Sequence, residues 1–171
     1  MAVSWESTTG DQMIDLLEAL SDPRAVESGL AKKVRCSANE YIVRKGDQDR
    51  YLYVVESGRV RVYGRVGIEG NRHIQPGLVD LGPGAVFGEF NLFEAGPRSA
   101  SVVAIEDSTL LQIDGTRLDA FFQTHPDLGL VILRHLYQVL TQRLRKADEK
   151  IEGLFAWGLK AHGIERHLTE A

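Results

Sequence analysis

Ten of the seventeen glycines in this 171-residue chain fall between residues 46 and 96, where they separate short apolar runs. Glycine adopts positive φ angles without steric cost, so this spacing indicates tight turns between short strands. The polar, glycine-rich stretch at 64–77 is predicted to be an exposed hairpin loop. A chain of this length is expected to form one domain and to bury about 70% of the surface that its unfolded state exposes.

The segments with strand character are short and have no helical pattern between them. Val60 and Val62 alternate with Arg59 and Arg61, which is the two-residue period of a half-buried strand. Many short strands without intervening helices favour a closed antiparallel roll or barrel. The predicted strands are residues 40–43, 51–56, 59–63, 78–81, 101–105 and 109–113.

Helical patterns flank this β region on both sides. Apolar residues at helical spacing predict a short amphipathic helix at 11–20, which stops at Asp22-Pro23. Asp114 or Thr116 can cap a second short helix, and Pro126 with Asp127 suits the first turn of a long one. The predicted parts are an N-terminal helical segment (1–24), a β-roll (25–125), a long C-terminal helix (126–155) and a short tail or lid helix hinged at Gly158 (156–171).

The long helix carries an apolar heptad seam, which is the pattern that pairs two helices. The helix could instead pack only on its own barrel, and this holds for part of its length because Ile132, Leu136 and Val139 widen the apolar face. Beyond Leu140 only the narrow seam remains, so a homodimer through residues 130–154 is predicted. The seam residues are Leu130, Leu133, Tyr137, Leu140, Leu144, Ala147, Ile151 and Leu154.

Composition limits the function classes. The formal net charge of -4 argues against a general binder of nucleic acid backbones, and Cys36 as the single cysteine fits a reducing cytoplasm. The chain has no signal-peptide pattern and no run long enough to span a bilayer, so a soluble, cytoplasmic protein that does not bind membranes is expected. No nucleophile elbow, paired catalytic carboxylates or P-loop is present, so neither an enzyme nor a catalytic residue is predicted. No metal site is expected either, because His162 and His167 do not share one helix face.

One stretch has the residues for a ligand site. Residues 87–93 can form one helical turn opened by glycine, whose free amides attract an anion. Arg98 follows a Gly-Pro turn that can bring its forked donors back to that anion, and Glu89 suits neutral donors such as sugar hydroxyls. These residues therefore suggest a small ligand with a phosphate and a hydroxyl-bearing ring. On these grounds alone, solvated surface positions for Glu89 and Arg98 are favoured over a ligand site.

The run FGEFNLFEAGPRSASVVA at 87–104, called the cassette below, resembles the phosphate-binding cassette of the cyclic nucleotide-binding domain family. That family includes catabolite activator-type regulators, kinase regulatory subunits and nucleotide-gated channels. Further similar motifs occur in the same order: VRKGD at 43–47, YLYVVESG at 51–58 and LGPG at 81–84. The resemblance spans roughly residues 10–155 and implies a mainly β fold with flanking helices, an antiparallel, jelly-roll-like β-roll of the double-stranded β-helix type.

The resemblance also implies roles for individual residues. Glu89 would bind the ribose 2′-hydroxyl with the Gly88 backbone close by, and Arg98 would pair with the cyclic phosphate. Ser99 and Ala100 would add backbone amides. The implied ligand-binding set is Gly88, Glu89, Phe90, Arg98, Ser99, Ala100 and Asp148.

The nucleotide base is less well specified. In catabolite activator-type proteins a hydroxyl pair on the long helix reaches the adenine amino group, and Ala147 and Asp148 stand in that place here. Ala147 can neither donate nor accept, whereas the Asp148 carboxylate could accept from an adenine amino group or from guanine nitrogens. The expected ligand is cAMP, with cGMP as the alternative, and no cofactor is expected.

The tail at 156–171 has no room for the helix-turn-helix module of catabolite activator-type transcription factors, so direct DNA binding is not expected. Three functions remain open at this stage. The first is a stand-alone cyclic nucleotide sensor that repositions its C-terminal helix and signals to an unknown downstream protein. The second is a transcription-regulator relative without its DNA-binding module, and the third is a dimeric scaffold with an empty pocket.

Overall fold

The computed structural model describes residues 16–162 except 65, 69–71, 75, 93 and 95. The chain divides into two compact units, residues 1–135 and 136–171, and each is described by itself. Of the predicted helix at 11–20, residues 11–15 lie outside the described residues, whereas residues 16–21 are helical. A short helix α1 (Pro23–Glu27) follows immediately, and the Asp22 side chain caps it by accepting from the Arg24 amide at 2.9 Å.

In the part of the chain that the structure describes, ten strands form two four-stranded antiparallel sheets and one hairpin. The first sheet has the order β1-β10-β3-β8, the second has the order β2-β9-β4-β7, and β5 pairs with β6. The strands are β1 (Ala31–Cys36), β2 (Tyr41–Val43), β3 (Tyr51–Ser57), β4 (Val60–Tyr63), β5 (Val66–Ile68), β6 (Arg72–Ile74), β7 (Gly77–Leu81), β8 (Val86–Phe87), β9 (Ser101–Ala104) and β10 (Ser108–Asp114).

The core lies between the two sheets. Val55 and Leu110 from the first sheet and Val60 and Ala104 from the second are fully buried members of one apolar cluster. Their neighbours on the same strands point the other way, as the two-residue period requires. The antiparallel β-roll with flanking helices that the sequence predicts is confirmed.

The sequence missed three features of the sheets. β1 and β8 are absent from the predicted strands, because β1 alternates poorly and β8 has only two residues. The stretch at 64–77 was predicted to be an exposed hairpin loop, but its two paired strands, β5 and β6, were not predicted. The other strands agree with the prediction to within one residue at each end, where ladder pairing decides the boundary.

Up to residue 162, two helices follow the last strand. Helix α2 (Gly115–Thr124) is capped by Asp114, whose carboxylate accepts from the Thr116 amide at 2.8 Å, as predicted. Helix α3 (Pro126–Ala161) begins at the predicted proline. It continues past residue 155 without a break, so the expected boundary there and the hinge at Gly158 do not occur in the structure. A glycine inside a helix costs only about 1 kcal/mol relative to alanine, which the surrounding turns of helix tolerate.

Within α3 the apolar residues separate into two groups. Ile132 and Leu136 are buried. All eight residues of the predicted heptad seam, from Leu130 to Leu154, are exposed in the single chain. None of the helices among the described residues combines the length and apolar character needed to cross a membrane.

Candidate functional site

The cassette begins with a sharp change of backbone direction. Phe87 ends β8 by pairing with Tyr53 of β3, and Gly88 then adopts a left-handed conformation with φ 88°. A 3₁₀ turn, Glu89–Asn91, follows. The prediction of one helical turn over 87–93 is therefore wrong in extent, because the ladder holds Phe87 in the sheet; Phe93 lies outside the described residues.

Gly88 is required by its surroundings as well as by its φ angle. A Cβ atom at this position would lie 2.7 Å from the Arg98 Nη1 atom and 2.7 Å from the Tyr51 carbonyl oxygen. Real Cβ atoms do not approach other atoms so closely, and L side chains avoid the left-handed region. Glycine therefore lets the backbone at 88 lie directly against the guanidinium of Arg98.

The backbone around Arg98 is fixed by the turn at 46–48. The Arg98 amide donates to the Asp47 carbonyl at 2.8 Å, and the Gly46 amide donates to the Arg98 carbonyl at 2.9 Å. Pro97 forms an isolated antiparallel bridge with Gln48. These contacts bring the family-like motif at 43–47 and the end of the cassette side by side, although they are about 50 residues apart in the sequence.

The Arg98 side chain is buried, with 3% of its surface exposed, and its donors are directed to three acceptors. Nη1 donates to the Gly88 carbonyl at 3.1 Å, and Nη2 donates to the Tyr51 carbonyl at 2.6 Å. Nε donates to Asp49 Oδ2 at 3.2 Å, and Nη2 also donates to Asp49 Oδ1. A buried guanidinium needs such a set of partners because burial removes the water that would otherwise hydrate its charge.

The sequence-predicted residues differ in how the structure places them. Gly88 and Arg98 are in direct contact, and Glu89, which follows Gly88 in the chain, is buried. Phe90 is 67% exposed, and Ser99 is exposed while Ala100 is partly buried. Asp148 lies on α3 in the second unit, with its side chain exposed.

Sequence reasoning missed two participants, Asp49 and the Tyr51 carbonyl. The motif at 43–47 stops short of Asp49, and no spacing rule links residue 49 to residue 98. A third contribution comes from Arg50, whose Nη2 donates at 2.7 Å both to the Leu92 carbonyl and to the Asp119 carboxylate of α2. Arg50 therefore connects the end of the cassette turn to α2.

An aromatic pair lines the inner side of this region. Tyr53 stacks on Phe87 with ring centroids 5.0 Å apart, and the Arg98 guanidinium carbon lies 6.0 Å from the Tyr53 ring centroid. Burial raises the pKa of the Tyr53 hydroxyl, which accepts from Gln112 Nε2 at 3.0 Å. Tyr53 is therefore neutral at physiological pH and adds no negative charge beside Arg98.

Comparisons with known proteins agree with this geometry. Residues 33–125 match the family model of the cyclic nucleotide-binding domain. A cyclic AMP receptor protein of Thermus thermophilus is 37% identical over 111 residues, which are 65% of this chain and 48% of that protein. A cAMP-dependent protein kinase regulatory subunit of Yarrowia lipolytica is 36% identical over 91 residues, which are 53% of this chain and 22% of that protein.

The fold has solved counterparts as well. The crystal structure of the Thermus thermophilus catabolite activator protein matches with a TM-score of 0.64 and 30% identity, covering 82% of this chain and 62% of that chain. The chain spans about half the length of the first two curated relatives: the matched residues are 48% of one and 47% of the other. Since the family model matches more than half of the chain and the β-roll carries the cassette, the chain belongs to the cyclic nucleotide-binding domain family.

Proposed function

We propose that this chain is a cytoplasmic cyclic nucleotide sensor that binds cAMP in preference to cGMP and does not itself catalyse a reaction. The observation that carries the proposal is the buried guanidinium of Arg98, held against the Gly88 carbonyl at 3.1 Å. A cyclic phosphodiester carries one negative charge, and a buried guanidinium is a strong partner for it. The names of two relatives, a cyclic AMP receptor protein and a cAMP-dependent kinase subunit, support cAMP as the ligand.

The other predicted residues receive complementary roles in this proposal. Glu89 would accept from the ribose 2′-hydroxyl, and the backbone amides of Ser99 and Ala100 would add donors to the phosphate. Phe90, which is 67% exposed, would cover the ligand with apolar surface. Asp148 would accept from the base. A charge-assisted hydrogen bond contributes on the order of 1.5–3 kcal/mol, so Arg98 is expected to dominate the affinity.

Isothermal titration calorimetry with cAMP and with cGMP tests the proposal. We expect the wild type to bind cAMP more tightly than cGMP, and Arg98→Ala to weaken binding by about tenfold or more. Arg61→Ala is a matched control, because Arg61 also pairs with an aspartate but lies outside the cassette. Absence of heat from the wild type with both nucleotides would contradict the sensor and favour a dimeric scaffold with an empty pocket.

The exposed heptad seam of α3 supports a homodimer as the second part of the proposal. All eight seam residues are exposed in the single chain, and Leu144 and Leu154 are 64% and 68% exposed. Seam positions at this spacing fit into the holes of a second copy of the same helix. We expect Leu144→Lys to give a monomer in sedimentation velocity, whereas Ala156→Lys, at an exposed position off the seam, leaves the dimer intact. A wild type that sediments as a monomer at all concentrations would contradict the dimer.

Signalling is the third part of the proposal. The chain divides at residues 135 and 136 into two compact units, and α3 runs through this boundary. Nucleotide contacts would favour one position of α3 over another, and the altered surface would be recognised by a downstream protein. A ligand can shift such an equilibrium only if it binds one position better. Hydrogen exchange over residues 136–162 with and without saturating cAMP tests this step, and unchanged protection would contradict it.

A further inference from the structure

The guanidinium of Arg98 is already engaged by an anion of the chain itself. Of its five N–H donors, Nε and one N–H of Nη2 donate to the two carboxylate oxygens of Asp49. The other N–H of Nη2 donates to the Tyr51 carbonyl, and one N–H of Nη1 donates to the Gly88 carbonyl. Among the described residues, this leaves a single N–H of Nη1 without a hydrogen bond.

The Asp49 carboxylate occupies hydrogen-bond donors of Arg98 that a ligand phosphate could also use. It accepts from Nε and Nη2 along one edge of the guanidinium, which is the bidentate arrangement that phosphate oxygens also adopt. A carboxylate and a cyclic phosphodiester each carry one negative charge. Two such anions on the same edge would compete for the same two N–H groups and repel each other.

The two partners differ in their freedom to move. The Arg98 side chain is 3% exposed and is held by two backbone carbonyls, whereas the Asp49 side chain is 28% exposed. The carboxylate also accepts from the Tyr51 amide at 3.1 Å, an interaction that keeps it in place without a ligand. Asp49 can therefore turn toward water more easily than Arg98 can leave its carbonyl partners.

We propose that Asp49 is an internal competitor that sets the affinity of the site, and that a ligand phosphate must displace its carboxylate from Arg98. The inference rests on the proposed function, because it concerns the affinity for the same cyclic nucleotide. When only a fraction of the molecules has a vacant guanidinium edge, the apparent dissociation constant rises by the inverse of that fraction. Removing the charge of Asp49 thus increases the affinity for the phosphate.

Calorimetry of Asp49→Asn with cAMP and with cGMP tests the proposal. The amide has the size of the carboxylate but no charge, so we expect the dissociation constant for cAMP to fall by about fivefold to tenfold. Asp80→Asn is the control, because it removes an equal charge from the Arg61–Asp80 pair. It is expected to change the affinity by less than about twofold. Unchanged or weaker binding by Asp49→Asn would overturn the proposal.

A double-mutant cycle with Arg98 separates competition from a general effect of charge. In the Arg98→Ala background Asp49 has no guanidinium to occupy, so Asp49→Asn is expected to leave the residual affinity unchanged. An equal gain in both backgrounds would overturn the mechanism. Circular dichroism and thermal unfolding check that each variant folds. If Asp49→Asn does not fold, Asp49→Ala provides a second variant.

The outcomes also distinguish this inference from the proposed function. If neither the wild type nor Asp49→Asn gives heat with cAMP or cGMP, the proposed function fails. If the wild type binds and requires Arg98 but Asp49→Asn binds no more tightly, only the role of Asp49 is wrong. Detectable binding by Asp49→Asn in the absence of binding by the wild type would support the role of Asp49 as a competitor and would contradict the proposed function of the wild-type chain.

Discussion

Arg98 and Arg61 make the same kind of pair with an aspartate in two different environments. Each donates from Nε and Nη2 to both carboxylate oxygens of its partner. The Arg98 side chain is 3% exposed, whereas that of Arg61 is 40% exposed. Arg98 also donates to two backbone carbonyls, whereas Arg61 donates to Asp80 across the β4–β7 ladder.

The difference shows what burial adds to an ion pair. Water screens the exposed pair and can replace either partner when it is removed, so such a pair contributes little to stability. Inside the protein the lost partner cannot be replaced, and the remaining polar groups stay unsatisfied. Because Arg98 is buried, its replacement is expected to lower the free energy of unfolding strongly. Burial also restricts the position of the guanidinium toward an incoming anion.

The largest expected effect is on folding stability. Arg98→Ala is expected to lower the free energy of unfolding by about 2–4 kcal/mol, because it leaves Asp49 and the carbonyls of Gly88 and Tyr51 without their donor. Arg61→Ala is expected to shift the urea midpoint much less, since its pair is exposed. Urea unfolding followed by circular dichroism measures both. Equal losses in the two variants would show that burial is not what separates the pairs.

A second prediction concerns the glycine that lets the backbone approach Arg98. Gly88→Ala is expected to cost about 2–3 kcal/mol, because it combines a left-handed φ with the 2.7 Å approach to Tyr51 O and Arg98 Nη1. Gly46 is the matched control, since it has φ 95° but no atom within 4 Å of a Cβ, and Gly46→Ala should cost only about 1–2 kcal/mol.

Nucleotide affinity separates the two glycines further. Gly88→Ala is expected to weaken cAMP binding because the guanidinium must shift, whereas Gly46→Ala retains the affinity of the wild type. Thermal unfolding and calorimetry on the same samples provide both values. A Gly46→Ala variant that loses as much stability and affinity as Gly88→Ala would contradict the role of close packing against Arg98.

Local signals predicted much of this fold. Asp114 caps α2 and Pro126 begins α3 as expected, because caps depend on residues only two or three positions apart. The family resemblance assigned Gly88 and Arg98 to one ligand site, whereas residue spacing alone did not show whether they form a site. The extent of the cassette turn was wrong, since the pairing of Phe87 with Tyr53 is a contact between strands.

The partner of Arg98 could not be predicted, for a physical reason. Asp49 and Arg98 meet because the Arg98 amide bonds to the Asp47 carbonyl at 2.8 Å and Pro97 bridges Gln48. The packing of the whole roll sets this register, so the residue pattern within either segment cannot predict it. The Arg61–Asp80 pair has the same origin in a cross-strand register, Arg61 opposite Asp80, and was missed for the same reason.

The smallest predicted effect is a pH dependence of the exposed pair. The hydrogen bonds from Arg61 lower the pKa of the Asp80 carboxyl below its ordinary value, and they raise the pKa of Arg61 itself. Because the folded pKa of Asp80 lies below the unfolded one, its stabilisation is complete above the unfolded pKa, about 4, and is lost as the pH falls through the folded pKa.

The difference in urea midpoint between the wild type and Asp80→Asn should therefore be constant from about pH 7 to pH 5 and shrink below about pH 4. It should also be smaller than the effect of Gly46→Ala and decrease further in high salt, because solvent and ions screen an exposed pair. Midpoints measured at several pH values in low and high salt test both trends. A difference that stays the same at pH 3 and pH 7 would mean that Asp80 stabilises the β4–β7 ladder by packing, and that its charge contributes nothing.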